Sequence, residues 1–236
     1  MQTSAARGDL ADFLANVVLP LRELLVPIRP RIVGISGAAG AGKTTLANSL
    51  RASLTEVGQR VLCVSLDDFC FGRVDRLTRG HKWRAVPGSH DTALLDRCLE
   101  TLAAGISPVE VPTYDKLIDD RGPNLRVEPP VDLVIFDGWF IGYQHPLYLH
   151  CWRHVDFHIH INLPMHLARQ RRFKREEELR SQGGGLTDDH LQQFWDEVLE
   201  PISSSFVRDA GLTADITLEV KDVGDKITYE LIVPRA

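Results

Sequence analysis

RIVGISGAAGAGKTTL, residues 31–46, carries a short β-branched run into a glycine-rich turn and leaves it as a helix. It fills every fixed position of the phosphate-loop pattern G-x-x-x-x-G-K-[ST], with Gly37, Gly42, Lys43 and Thr44 in register. Each residue type has its own reason. Gly37, Gly40 and Gly42 lack a Cβ, which lets the backbone bring N–H groups against phosphate oxygens, with Ala38 and Ala41 as the small residues between them. A helix opening near Lys43 aims roughly half a positive charge at the same anion. Lys43 is expected at the β- and γ-phosphates, the Thr44 hydroxyl on Mg²⁺, and Thr45 at the α-phosphate. Strand before and helix after is the context that gives the motif its meaning, so the chain reads as a nucleotide binder.

The 236 residues suffice for one sizeable α/β domain. A charged fraction of 25% and a hydrophobic fraction of 44% are ordinary for a globular protein. The net charge of −5 argues against general binding to nucleic acid or a membrane surface. Cys63, Cys70, Cys98 and Cys151 show no C-x-x-C, so neither a zinc site nor a disulfide framework is expected. The N-terminus has acids at Asp9 and Asp12 and no uninterrupted apolar core, and no stretch approaches the ~20 apolar residues of a membrane span. A cytoplasmic protein with reduced thiols is expected, either monomer or homodimer.

Ahead of the loop, apolar residues from Leu10 to Leu25 recur at helical spacing, with a bend expected at Pro20 and closure at Pro27 and Pro30. Beyond the loop helix, a strand over 61–66 ends in Asp67-Asp68, at the edge where open α/β sheets bind ligands. Segment 71–84 reads as a loop carrying Arg73, Arg76, Arg79, His81, Lys82 and Arg84 against one acid, Asp75. That is either a solvated basic loop or the seat of an anionic co-substrate. Ser89 or Asp91 caps a helix running to about Ala104. Segment 109–114 reads as a short edge strand, with Tyr114 and Asp115 as candidate substrate contacts.

A second apolar strand, 131–136, ends in Asp137, the pattern that places a carboxylate near Mg²⁺ in phosphate-loop enzymes. His145, His150, His154, His158 and His160 invite a metal reading, but no acid or cysteine joins them at ligand spacing, so core or edge histidines are the expectation. His158 and His160 alternate along a strand and share a face. Residues 166–180, HLARQRRFKREEELR, form a basic helix ending at Gly183-Gly184-Gly185, as a closing lid requires; Arg169, Arg172 and Lys174 or Arg175 are placed to reach a nucleotide. Thr187 caps a helix to Glu200, stopped by Pro201, and 214–220 with 226–233 alternate as a final strand and hairpin partner around 222–225.

The ordered set ISGAAGAGKTT, VSLDDF, RAVPGSHD, VPTYDK and VIFDGW with the basic lid resembles the phosphoribulokinase and uridine kinase group of P-loop kinases, and within it the plant- and fungal-type glycerate kinases. The resemblance runs from Ile32 to Phe206. It implies an α/β P-loop fold, a mostly parallel sheet flanked by helices with a helical lid. The chain is then expected to be a single domain, 1–236, in which the N-terminal helix (1–30) and the C-terminal strands (212–236) read from the residue pattern flank an acceptor-site insertion (71–130) and a lid (164–190). It implies ATP and Mg²⁺, with Asp67 as the base on the acceptor hydroxyl, and Thr44, Asp67 and Asp137 at the metal. Arg172 and Arg169 match lid arginines over the transferring phosphoryl group. Asp68, Arg79, His90, Asp91, Tyr114, Asp115 and Lys116 fall in segments that line the acceptor pocket of relatives. The implied reaction is phosphorylation of a metabolite hydroxyl, D-glycerate first, with a uridine-type nucleoside, pantothenate or a sugar phosphate as alternatives. From another class, a regulatory GTPase is disfavoured by the lack of an N/T-K-x-D element. The chain departs from the pattern at Arg84-Ala85 and across 71–84.

Overall fold

The computed structural model describes residues 10–84, 86–223 and 226–233. Residues 1–9 (with Asp9), Ala85, and Gly224 and Asp225 of the expected turn lie outside the described residues. The strands are β1 (Ile32–Gly37), β2 (Val61–Ser65), β3 (Val109–Val111), β4 (Tyr114–Asp115), β5 (Asp120–Arg121), β6 (Leu125–Val127), β7 (Leu133–Asp137), β8 (Phe157–Asn162), β9 (Ile216–Val223) and β10 (Lys226–Ile232). The helices used below are α1 (Leu19–Ile28), α2 (Lys43–Glu56), α3 (Arg73–Thr78), α4 (Thr92–Ala103), α5 (Leu149–Trp152), α6 (Met165–Ser181) and α7 (Asp188–Phe194).

Six strands form the main sheet in the order β10-β9-β8-β1-β7-β2. All neighbours are parallel except the β9–β10 hairpin. Every residue of β1 and β7 is buried, as expected of parallel strands covered on both faces. Leu46, Leu50 and Leu54 of α2 and Leu21 and Leu25 of α1 join the same core. Parallel pairing sets the C-terminal ends of β1, β2 and β7 side by side. Ser65 stands opposite Asp137 in the β2–β7 register, so the phosphate loop, the LDDF turn and Asp137 meet at one edge.

Several expectations need correction. Pro20 lies in the first turn of α1, where a missing N–H costs nothing, after a π-helical turn at Leu14–Val18. Pro27 sits inside α1, which ends at left-handed Arg29 (φ 53°). Pro201 stops nothing: helical backbone runs past it to Gly211, because a π-helical turn at Trp195–Leu199 puts the proline in the opening turn of a fresh α segment. The 71–84 segment contains α3, whose Arg76 is buried against Asp119. Segment 109–114 is no edge of the main sheet. It contributes β3, paired with β6, while β4 pairs with β5, as two small antiparallel ribbons. Of the two candidate caps, Asp91 holds the Leu94 N–H (3.0 Å), while Ser89 Oγ bonds Val86.

Candidate active site

Gly42 takes φ 94° as N-cap of α2, and Gly40 takes φ 86°, a backbone shape that favours glycine. Gly40 is doubly constrained: a Cβ there would lie 2.2 Å from the Ala168 carbonyl oxygen, so the loop seats directly on α6. Lys43 Nζ folds back onto the Gly37 and Ala38 carbonyls, each at 2.9 Å. Burial lowers its pKa to about 8 against the pull of Asp137 and Asp67.

A cavity of about 500 Å³ opens at this edge. Its polar wall is made by 39–45 of the loop, Ser65, Asp67, Arg84, Lys116, Asp137 and Trp139, with Arg171, Arg172 and Arg175 from α6. Asp67 Oδ2 accepts from Lys116 Nζ at 2.8 Å. Burial alone would raise the Asp67 carboxyl, but Lys116 and then Arg84 outweigh it and hold it well below the usual carboxylate range. Asp137 is 5% exposed, accepts from Ser65 Oγ (3.0 Å), and is pushed up by burial against the opposing charge of Lys43. The Trp139 indole N–H is buried without a hydrogen-bond partner, in a side chain that lines the cavity. Such a donor is costly to leave unpaired unless a ligand completes it.

Thr44, Asp137 and Asp67 offer hydroxyl and carboxylate oxygens, the hard donor set that suits Mg²⁺. Soft ligands are absent from this wall. On α6, part-buried Arg172 forms an ion pair with buried Glu176, whose Oε1 also accepts from Leu186 N (2.6 Å) beyond the three glycines. A Cβ on Gly184 would lie 2.9 Å from Leu117 Cα, so the glycine loop packs against the segment that presents Lys116.

The expected site residues thus separate. Gly40, Ala41, Gly42, Lys43, Thr44, Thr45, Asp67, Lys116, Asp137 and Arg172 line one cavity, with Gly37 and Ala38 behind the loop as acceptors for Lys43. Asp68 lies outside it, its oxygens taken by the Ser65 and Tyr114 N–H groups, both at 3.1 Å, and burial raises its pKa to about 6. Asp91 caps α4, and Arg79 stacks on Phe71 at 4.0 Å. Tyr114 donates to Asp119 (2.9 Å), and Asp115 accepts from Leu117 N (2.8 Å). Arg169 turns away, bonding Gln192 at 2.5 Å over Phe173. His90 is buried, its Nδ1 2.7 Å from Tyr148 OH and its Nε2 unpartnered, with its pKa lowered by burial to about 4. Arg175 lines the cavity, as one of the two alternatives the sequence offered with Lys174, while Ser65, Arg84, Trp139 and Arg171 are cavity residues to which the sequence pattern assigned no individual role. Arg84 stood among many basic neighbours, and Arg171 beside Arg172 in a run where only helical phase decides which arginine faces the loop.

The model of the Phosphoribulokinase / Uridine kinase family matches residues 32–220. A Schizosaccharomyces pombe protein named "Uncharacterized kinase mug58" is 33% identical over 133 residues, 49% of this chain and 48% of that protein, so the match spans about half of that relative. A uridine kinase of Klebsiella pneumoniae is 27% identical over 189 residues, 78% of this chain and 84% of that protein. In three dimensions the chain is similar to D-glycerate 3-kinase from Cryptococcus neoformans, with TM-score 0.67 and 21% identity over 81% of this chain and 85% of that one, a likeness of fold.

Proposed function

This chain belongs to the Phosphoribulokinase / Uridine kinase family, and from that premise we propose that it transfers the γ-phosphoryl group of ATP to a hydroxyl of a small anionic metabolite, D-glycerate being the best fit. Membership makes it a phosphotransferase with an alcohol group as acceptor. One observation carries the choice of acceptor. Asp67 lines the cavity together with two cations that act on it, Lys116 and Arg84, and the same cavity is lined by Trp139 with its unpartnered N–H. A carboxylate is the acceptor group that would satisfy these donors, whereas a neutral nucleoside brings them no counter-charge.

In this reading, the N–H groups of the loop and the N-terminus of α2 bind the triphosphate, and Lys43 leaves the Gly37 and Ala38 carbonyls for the β- and γ-phosphates. Thr44, Asp67 and Asp137 would hold Mg²⁺, which would supply neutralisation of the triphosphate charge. Asp67 accepts the hydroxyl proton as the new O–P bond forms and ADP departs. Arg171, Arg172 and Arg175 face the charge that accumulates on the transferring group. We read α6 and the glycine loop as a lid over 164–190, and its closure as what keeps water from competing as acceptor. Segment 71–130, which supplies Arg84 and Lys116, serves as the acceptor side.

The test is ADP release from Mg·ATP against D-glycerate, uridine, pantothenate, ribulose 5-phosphate and plain sugars. A D-glycerate signal that is lost in Asp67→Asn supports the reading. A larger turnover with uridine, or a signal indifferent to Asp67→Asn, overturns it.

A further inference from the structure

Away from the phosphate edge, α4 and α5 bring together three side chains that the proposed reaction leaves unused. Ligand atoms of Asp96, His150 and Cys151 all lie within 4.8 Å of one another. Among the described residues this is the one place where three acid, histidine or cysteine ligand atoms converge in this way. Sequence spacing hides it, because the carboxylate comes from α4 and the other two groups from the much later α5.

We propose that Asp96, His150 and Cys151 form a binding site for a borderline-soft divalent ion of the zinc class, with one position left to water. The donor set decides the class of ion. A carboxylate, a neutral imidazole and a thiolate bring two negative charges to balance a dication, and sulfur with nitrogen selects zinc or cobalt over the magnesium that suits the all-oxygen set of the cavity. Support for the ligands is already built. His154 Nε2 lies 2.9 Å from Asp96 Oδ1, and Arg153 reaches Oδ1 at 3.3 Å and Oδ2 at 3.2 Å, so the carboxylate is fixed in place by two outer partners and its remaining lone pairs are the ones a metal ion would use. Cys151 is fully buried, and its thiol makes one weak contact, 3.5 Å to the Thr92 carbonyl, which loss of the proton would release. Asp96 and His150 are half-buried, which leaves an entry route from solvent. His158 and His160 take no part, since both bond Ser36. A bound ion would tie α4 to α5 next to Tyr148, the residue that holds His90.

The test uses chelator-treated full-length protein in excess Mg²⁺, titrated with Co²⁺. The expected result is a thiolate-to-cobalt charge-transfer band that saturates at a single equivalent, is displaced by Zn²⁺, and is lost in Cys151→Ser, which keeps the three other cysteines. His150→Gln should weaken cobalt binding by about tenfold or more. Zn²⁺ should raise the unfolding midpoint of the parent protein and leave that of Cys151→Ser unmoved. No thiolate band, or a band that survives Cys151→Ser, overturns the proposal. Should Cys151→Ser fail to fold, half-buried His150→Gln decides: unchanged cobalt affinity in that variant overturns it equally.

Discussion

Lys116 Nζ stands 2.8 Å from Asp67 Oδ2, a cation from the acceptor-side segment held on the carboxylate proposed as base. The pairing keeps Asp67 weakly basic at rest, so in the proposed reaction proton transfer to it would complete late, after the O–P bond has begun to form. Replacing Lys116 by Met raises the Asp67 pKa toward its ordinary value of about 3.9. Any acid limb of the parent kcat/KM should then come from Asp137, raised by burial, while Lys116→Met should gain a further limb from Asp67. The sign for stability agrees. A carboxyl whose pKa is depressed on folding stabilises above its unfolded value and loses that contribution as pH falls. Lys116→Met should therefore melt lower at pH 7, with the gap closing in acid; identical pH–rate profiles would remove Lys116 from this role.

Asp67→Asn keeps the side-chain shape and removes the proton acceptor. Nucleotide affinity should stay nearly intact while transfer falls by about 10²- to 10⁴-fold, the usual worth of a positioned base. Isothermal titration with a non-hydrolysable ATP analogue alongside single-turnover transfer separates the two. A parallel loss of both would recast Asp67 as a group that mainly holds the metal.

Glu176 is 1% exposed and serves two partners, the Arg172 guanidinium and the Leu186 N–H. Glu176→Gln leaves the part-buried Arg172 without its counter-charge, and losing a hydrogen bond to a charged group costs about 1.5–3 kcal/mol. Since the same carboxylate fastens the chain beyond the glycines, KM for ATP should rise together with the loss of stability. A denaturant titration and a steady-state assay check both; unchanged stability would mean that the lid region contributes little to the cooperative fold.

Ser36 Oγ lies 2.7 Å from His158 Nε2 and 2.8 Å from His160 Nδ1, all three buried beneath the loop. Burial lowers both histidines to about 4, so below the unfolded value of 6.5 the unfolded chain takes up more protons than the native one. Stability should fall as pH drops from about 6.5 to 4. At pH 7, Ser36→Ala leaves buried ring nitrogens unpaired, at a cost of about 1–3 kcal/mol. Thermal melts of both proteins at pH 7 and pH 5 test the two statements.

That cluster also marks what a sequence discloses and what it withholds. The phosphate loop, LDDF and the strand ending in Asp137 were legible because each is local: the residues that act lie within one turn of the strand end that positions them. His158 and His160 could be placed on one face by strand alternation, yet Ser36 between them belongs to the neighbouring strand, and pairing across a sheet leaves no local mark. Asp68 looked like a ligand because it follows Asp67, whereas the 3-10 turn at Leu66–Phe69 rotates it onto the Ser65 and Tyr114 backbone. In α6, composition announced a basic helix, but the choice among Arg169, Arg171, Arg172 and Arg175 is made by the Gly40–Ala168 contact that fixes the phase of the helix. The sulfur and nitrogen cluster at Asp96 was hidden for the same reason as Ser36.

In the proposed reaction Arg84 is the residue expected to select a carboxylate acceptor. It lines the cavity beside Asp67 and contacts Asp119 at 3.7 Å, a loose pairing that leaves its guanidinium able to take a second anion. A hydrogen bond to a charged group is worth about 1.5–3 kcal/mol. Arg84→Met should accordingly raise KM for a carboxylate acceptor by roughly 10- to 100-fold, at 1.4 kcal/mol per decade. kcat and the KM for ATP should move much less, because in the proposed reaction the loop, Lys43 and α6 hold the γ-phosphate. Arg84→Lys should recover part of the loss, since a point charge replaces a fork. A structural role through Asp119 predicts something else: lower stability, with KM for both substrates rising together and no rescue by lysine. Trp139→Phe supplies the matching check on the neutral donor, with acceptor KM rising and ring packing against Phe140 retained. If neither substitution touches the acceptor KM, the anion is bound elsewhere and the acceptor need not carry a carboxylate at all.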